Sequence, residues 1–295
     1  MTDLLEQISA GFADHVAAVA PSVVAIGTGR RHVSGILWRP DVVVTSAQAL
    51  PEREDFNLRR AGAQFTAKLA GRDPGTNVAL LRLAQPIEAA LPATAPVPRV
   101  GTLALLVGAD DTGAPTSRLA MVHATGPEWH SQAGGRIDAL LRLDARLGTD
   151  EGGPVLDAAG RLLGMSTAGP RQRALAIPAA TIDRILDPLL AEGRVARGWL
   201  GVGLQPVMVP DSLRETTGQD SGMMVVSLAS GAPAATAGVL PGDIMLDLDG
   251  TPMRRMRALA AAMGPEQIGK TVTLRLLRAG ALHTLSVTIA ARPAG

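Results

Sequence analysis

The chain has 295 residues, enough for two domains that each bury a core. Apolar residues make up 46% but aromatic ones only 2%, with no Tyr, so those cores must be aliphatic. Formal net charge is +1 with no Lys/Arg cluster, which speaks against a nucleic-acid partner, and the lack of Cys excludes disulfides, thiolate catalysis and Cys-ligated metals.

Residues 3–19 place Leu4, Leu5, Ile8, Phe12, Val16 and Val19 near helical spacing, which predicts an amphipathic helix over 1–20. Its apolar face can pack on its own domain or mediate self-association. The segment lacks a basic start and carries Asp3, Glu6, Asp14 and His15, so it does not read as a signal peptide. No later run approaches the about 20 apolar residues of a membrane span. With Met1 as the native start the chain is expected in the cytoplasm; with a leader removed, in the periplasm.

From Pro21 the pattern changes to short apolar runs punctuated by Gly, Pro and Asp: 22–26, 41–45, 78–83, 103–107, 119–122, 139–143 and 162–166. Many short strands separated by turn signals predict an all-β barrel or sandwich over 21–192. A helix over 179–192 closes this region, with Pro188 expected to bend or end it. Residues 88–98, rich in Ala and Pro, read as a surface loop, and 193–198 as a linker. A second unit, 199–295, shows strands at 199–204, 222–228 and 244–248, a helical run at 253–263, and a final hairpin, 272–277 and 282–289, turning at Gly280.

Three segments in fixed order resemble the trypsin-like domain of HtrA/Deg proteases. Val42-Val43-Val44-Thr45-Ser46-Ala47-Gln48 is similar to the stretch V-L-T-N-A-H that carries the catalytic His. Asp73-Pro74-Gly75-Thr76-Asn77-Val78-Ala79-Leu80-Leu81 is similar to D-P-x-x-D-I-A-L-L, which carries the Asp. Leu147-Gly148-Thr149-Asp150-Glu151-Gly152-Gly153-Pro154 is similar to I-N-P-G-N-S-G-G-P, which carries the nucleophilic Ser. Further on, Arg197-Gly198-Trp199-Leu200-Gly201-Val202 resembles the R-G-x-L-G-I loop of a PDZ domain, and 230–244 resembles S-P-A-x-x-A-G-L-x-x-G-D-V. The resemblance implies a mainly β chain: a trypsin-like double β-barrel followed by one PDZ domain, a β-sandwich with short helices. It also makes a homo-oligomer, a trimer in much of the family, an expectation.

The resemblance puts Gln48, Asn77 and Glu151 at the His, Asp and Ser positions. A Gln amide has no proton titrating near neutrality, so it cannot act as a general base. Asn77 lacks the charge that steadies an imidazolium, and a carboxylate at Glu151 places negative charge where an oxyanion would develop. Between Leu147 and Gly152 stand four residues where the family pattern has five, which predicts displaced backbone N–H groups. The expectation is therefore a pseudoprotease without catalytic residues, acting as a peptide-binding scaffold, adaptor or chaperone-like regulator. The alternative is an active serine-type endopeptidase using non-standard residues.

In the PDZ-like loop, the N–H groups of Leu200, Gly201 and Val202 would hold a peptide's C-terminal carboxylate, with Trp199 beside them and Arg197 adding favourable charge. The implied partners are protein or peptide C-termini, and no cofactor or metal is expected. The histidines His15, His32, His123, His130 and His283 show no metal-ligand spacing. His32 is read as a solvated loop residue that deserves inspection near the cleft, Asp144 as a loop support, and Ser46 and Ser166 as structural strand residues.

Overall fold

The structure is a computed structural model that describes every residue except Met1, Arg30, Ala89, Gln132, Ala294 and Gly295, with Thr2, Met256 and Arg257 described by backbone alone. It is mainly β, as expected. Helix α1 (Thr2–Val19) precedes β1 (Val23–Gly27), β2 (His32–Arg39), β3 (Val42–Ser46), β4 (Asp55–Arg60), β5 (Ala63–Asp73) and β6 (Val78–Leu83). These six strands close into a barrel in the order β1-β2-β3-β6-β5-β4. A second closed barrel, ordered β11-β14-β13-β12-β7-β8, uses β7 (Leu103–Ala109), β8 (Pro115–Gly126), β11 (Leu140–Arg146), β12 (Pro154–Asp157), β13 (Leu162–Ala168) and β14 (Arg173–Pro178). Between β8 and β11 lies a small hairpin, β9 (Trp129–His130) with β10 (Arg136–Ile137), and α2 (Ala179–Glu192) follows β14.

The chain divides into two compact units, Met1–Trp129 with Ile137–Val195, and His130–Arg136 with Ala196–Gly295. The second holds β15 (Gly198–Trp199), β16 (Val202–Met208), α3 (Asp211–Thr217), β17 (Ser221–Leu228), α4 (Pro233–Thr236), β18 (Ile244–Leu248), β19 (Thr251–Pro252), α5 (Met256–Ala261), β20 (Thr271–Arg278), β21 (Ala281–Thr288) and β22 (Ala290–Ala291). Its main sheet runs β16-β17-β18-β20-β21, while β15 pairs separately with β22. Among the described residues no helix is long and apolar enough to cross a membrane.

Strand parity explains why several runs are apolar throughout. In β1, Val24 and Ile26 enter the first barrel's core, whereas Val23 and Ala25 point out against Leu105 and Val107 of the second barrel. In β3 and β6, Val43, Ala79 and Leu81 face the barrel interior, while Val42, Val44, Val78 and Leu80 pack on Ile182, Ile185 and Leu189 of α2. Burial on both faces removes the polar alternation of a half-exposed strand. The absence of a Cβ at Gly71 lets β5 approach Leu189 of α2 closely.

Several expectations need correction. Pro188 does not end α2, which runs through it to Glu192 and closes on Gly193 in the left-handed conformation. His32 opens β2 instead of lying in a solvated loop, and its Nε2 is 3.1 Å from Ala109 O. Asp144 is an exposed residue of β11, and Asp150 supports the following loop instead. The helical run expected over 253–263 is shorter: α5 spans Met256–Ala261.

The second unit contains a buried ion pair that fixes the turn before β18. Asp243 is 1% exposed and receives Arg278 Nε and Nη2 at 2.7 Å each, plus the Leu240 N–H at 2.8 Å. Burial pushes this carboxyl upward, but the Arg278 hydrogen bonds, the Leu240 N–H and the nearby positive charge outweigh it and hold it below its ordinary value. Its stabilising contribution is therefore present above the unfolded-state pKa and is lost as pH falls through the lowered folded value. Asp243→Ala is expected to cost about 3 kcal/mol, read from urea unfolding of this unit, and to flatten the acid limb of its stability profile.

Candidate functional site

The structure brings Gln48, Asn77 and Glu151 together. One 3-10 turn, Ala47–Ala49, carries Gln48 off the end of β3. Asn77 ends the turn between β5 and β6, where the buried Asp73 carboxylate accepts the Gly75 N–H, the Thr76 N–H and the Thr76 hydroxyl. Asn77 itself has φ +58°, a conformation that Asn tolerates better than most residues. Its carbonyl oxygens hold the Gln48 turn in place: the backbone O accepts from Ala47 N at 3.1 Å and Oδ1 from Gln48 N at 2.8 Å.

Glu151 arrives on a tight turn between β11 and β12. Its N–H donates to Gly148 O at 3.3 Å, while Asp150 Oδ1 accepts the Gly148 N–H at 2.7 Å. Gly152, at φ +90°, and Gly153 follow so closely against Ser34, Thr45 and Val107 that neither position has room for a Cβ. The turn is tied to the first barrel through Ser34, whose N–H donates to Glu151 O at 2.9 Å and whose hydroxyl donates to Thr149 O at 2.7 Å.

The side chains form one connected network. Glu151 Oε1 accepts from Ser46 Oγ at 2.8 Å, Gln48 Nε2 at 2.8 Å, Ala168 N at 3.2 Å and Thr167 Oγ1 at 3.5 Å. Gln48 Nε2 also donates to Ala168 O at 2.8 Å. Asn77 Nδ2 donates to Thr167 Oγ1 and, at 3.1 Å, to Ser46 Oγ. Glu151 is the titratable side chain of the group. Ser46 does hydrogen-bond a carboxylate, but it is fully buried, so its hydroxyl has no path to a substrate; Ser166 is equally buried and donates to Asp150 O. Thr167 and Asp150 were not singled out from sequence; an inward-facing hydroxyl at the end of an otherwise apolar strand was the available signal for Thr167.

A second candidate site lies in the other unit. Gly198 N donates to Met263 O at 2.9 Å, and β15 pairs with β22, fixing the chain entering the loop. Leu200 is buried, its carbonyl accepts from Ala234 N at 3.0 Å, and Gly201 O accepts from Ala229 N at 2.8 Å. The Leu200 and Gly201 N–H groups have no partner among the described residues. Gly201 adopts φ +74°, and a methyl there would fall on that of Ala232. Val202 already belongs to β16, opposite Leu228. Arg197 and Trp199–Val202 line a groove of about 300 Å³ together with Leu259, Met263 and Arg292.

If the Glu151 carboxylate is the hub of the first site, Glu151→Ala should cost about 1–3 kcal/mol by leaving inward-facing donors without an acceptor. Glu151→Gln should cost less, because its amide oxygen can still accept. Denaturant melts of the two variants check this, and an unchanged midpoint in the Ala variant would remove Glu151 from that role.

Residues 33–165 match the family model of the trypsin-like peptidase domain, and residues 199–289 that of the PDZ domain. The probable periplasmic serine endoprotease DegP-like of Brucella suis is 31% identical over 243 residues, covering 79% of this chain and 47% of that protein. Its counterpart in Rhizobium meliloti is 31% identical over 263 residues, covering 85% of this chain and 51% of its own. The chain thus spans about half the length of the curated relatives it matches. Among solved structures, the HtrA-type protease AlgW with decapeptide superposes with a TM-score of 0.74 at 23% identity, covering 96% of this chain and 99% of that one. This chain therefore belongs with the HtrA/DegP-type proteins, joining a trypsin-like peptidase domain to one PDZ domain.

Proposed function

We propose that this protein is a proteolytically silent member of that group, which binds protein C-termini through its PDZ groove and acts as a scaffold, adaptor or chaperone-like regulator. The observation that carries this reading is the Gln48 side chain, whose amide stands at the expected base position, bonded to Glu151 and to Ala168 O. An amide cannot take the proton of a nucleophile. The Glu151 N–H, which would be a natural oxyanion donor, is directed to Gly148 O. Loss of one such donor costs ~10²–10³ in rate and loss of a whole triad roughly 10⁶, so the two deficits together leave no useful turnover.

For binding, the support is the pair of N–H groups at Leu200 and Gly201 beside an apolar groove, suited to a terminal carboxylate. AlgW, whose structure was solved with a decapeptide, extends the same reading to this fold. The exposed Leu4, Leu5 and Ile8 of α1 support the homo-oligomer expected from resemblance. Of the two compartments, the names of the relatives favour the periplasm.

The second reading, an active serine-type endopeptidase, is favoured by those same names, since both relatives are called serine endoproteases. The residues at the three triad positions favour the first. Casein digestion and labelling by a fluorophosphonate probe separate them. The proposal expects neither, and cleavage that survives purification yet disappears on changing Glu151 would reverse it.

The combined variant Gln48→His, Asn77→Asp, Glu151→Ser is expected to stay below detectable casein cleavage, because the shortened turn keeps the position-151 N–H on Gly148 O. Efficient digestion by it would overturn the oxyanion argument. For the groove, Gly201→Ala should weaken binding of a free-carboxylate peptide at least tenfold in a polarisation assay. Amidating the peptide should do the same to the unaltered protein.

A further inference from the structure

Strand β16 ends the main sheet, so one of its edges pairs with β17 and the other is open among the described residues. The bonds of β17 reveal which way each backbone group of β16 points. Val225 donates its N–H to Asp243 O and accepts from Gly242 N, both at 2.8 Å, so its polar groups face β18 and turn away from β16. Leu204, its partner across the ladder, therefore directs its own N–H and carbonyl to the open edge. The register shift between Gly203 and Leu204 places the additional residue, Val226, on β17, and β16 keeps its alternation. Val202, Leu204, Pro206 and Met208 thus face outward with their backbone groups, and Gly203, Gln205 and Val207 face β17.

Val202 and Leu204 each offer an incoming strand an N–H and a carbonyl. Pro206 offers a carbonyl but has a pyrrolidine ring where the next donor would be. That ring removes one ladder bond and fills the space a partner's carbonyl would enter. The Pro206 side chain is exposed, so its effect falls on the edge and not on the core. A proline at the start of the strand would blunt the whole edge. At this position it leaves open the two outward residues next to the Leu200–Gly201 loop and interrupts the edge beyond them.

We infer that Pro206 sets the length of peptide this site reads, limiting strand addition to about the last four residues of a C-terminus. This rests on the carboxylate-binding reading of the Leu200–Gly201 loop. With the carboxylate on that loop and the chains antiparallel, the last residue lies beside Val202, the third from the end pairs with Leu204, and the fifth from the end meets Pro206. Residues further upstream gain no ladder bonds. The site therefore sorts C-termini by a short signature and accepts any sequence before it.

The test uses the full chain and peptides ending in Val, one about four and one about eight residues long to span the proposed limit, each with a free and an amidated terminus. Affinities are read by competition in a polarisation assay. The unaltered protein is expected to bind the two free-carboxylate peptides within about twofold of each other, whereas Pro206→Ala should bind the longer one about fivefold more tightly, the gain from one backbone hydrogen bond. N-methylated copies of the longer peptide probe the ladder without altering the protein. Methylation at the third residue from the end should weaken binding about fivefold, and at the fifth less than about twofold. Tighter binding of the longer peptide by the unaltered protein, the same length dependence in Pro206→Ala, or equal losses from the two methylations would overturn the limit set by Pro206 while leaving carboxylate capture intact. Binding indifferent to amidation, or no binding by either free-carboxylate peptide, would overturn the carboxylate reading and this inference with it.

Discussion

A single carboxylate oxygen, Glu151 Oε1, gathers polar groups from both barrels of the first unit. Ser46 and Gln48 reach it from the end of β3, and Thr167 and Ala168 from the end of β13. Closed barrels leave no strand edge with which to pair, so two of them can be joined only by side-chain packing and by loops. The packing comes from the outer face of β1 against β7, where Val23 and Ala25 meet Leu105 and Val107. The loop contribution comes from the Glu151 turn, which also takes the Ser34 N–H and hydroxyl.

That constraint shapes the chemistry available there. A hydrolytic triad needs a mobile proton between a base and a nucleophile, within reach of a substrate. In the proposed reading Gln48, Asn77 and Glu151 stand at those positions; they are engaged in a shared hydrogen-bond network, and the Ser46 and Thr167 hydroxyls nearest the carboxylate are buried. Gln48 spans from Glu151 to Ala168 O and so spends its two N–H donors inside the protein. A network satisfied in this way adds rigidity to the barrel junction.

The second unit is organised differently. Its core is rich in methionine, with Met223, Met245, Met253 and Met263 in one cluster, and Met263 reaches the wall of the groove. Flexible thioether side chains adapt to varied shapes, which suits the proposed role of this groove as a binder of C-termini. The unit also has two rigid points: Gly201 keeps its loop in a left-handed bend, and the Asp243–Arg278 pair fixes the turn leading into β18.

Sequence by itself determined the class of fold and the paired modules, and it singled out Gln48, Asn77 and Glu151, which the fold brings into one hydrogen-bonded group. Short apolar runs between turn residues are a local consequence of strand burial, and doubly buried β1, β3 and β6 announce themselves most clearly. Strands with exposed or polar faces, such as β4 and β5, were not legible, since half of each looks like loop. The fate of Pro188 was also undecided locally: α2 tolerates it because packing by Ile182, Ile185 and Leu189 on the first barrel outweighs one missing helix bond. Only tertiary structure decided that Ser46, Thr167 and Ala168 converge on Glu151. Those contacts join positions separated by as many as 105 residues along the chain, and no local pattern encodes a pairing that exists only once the barrels and sheets have closed.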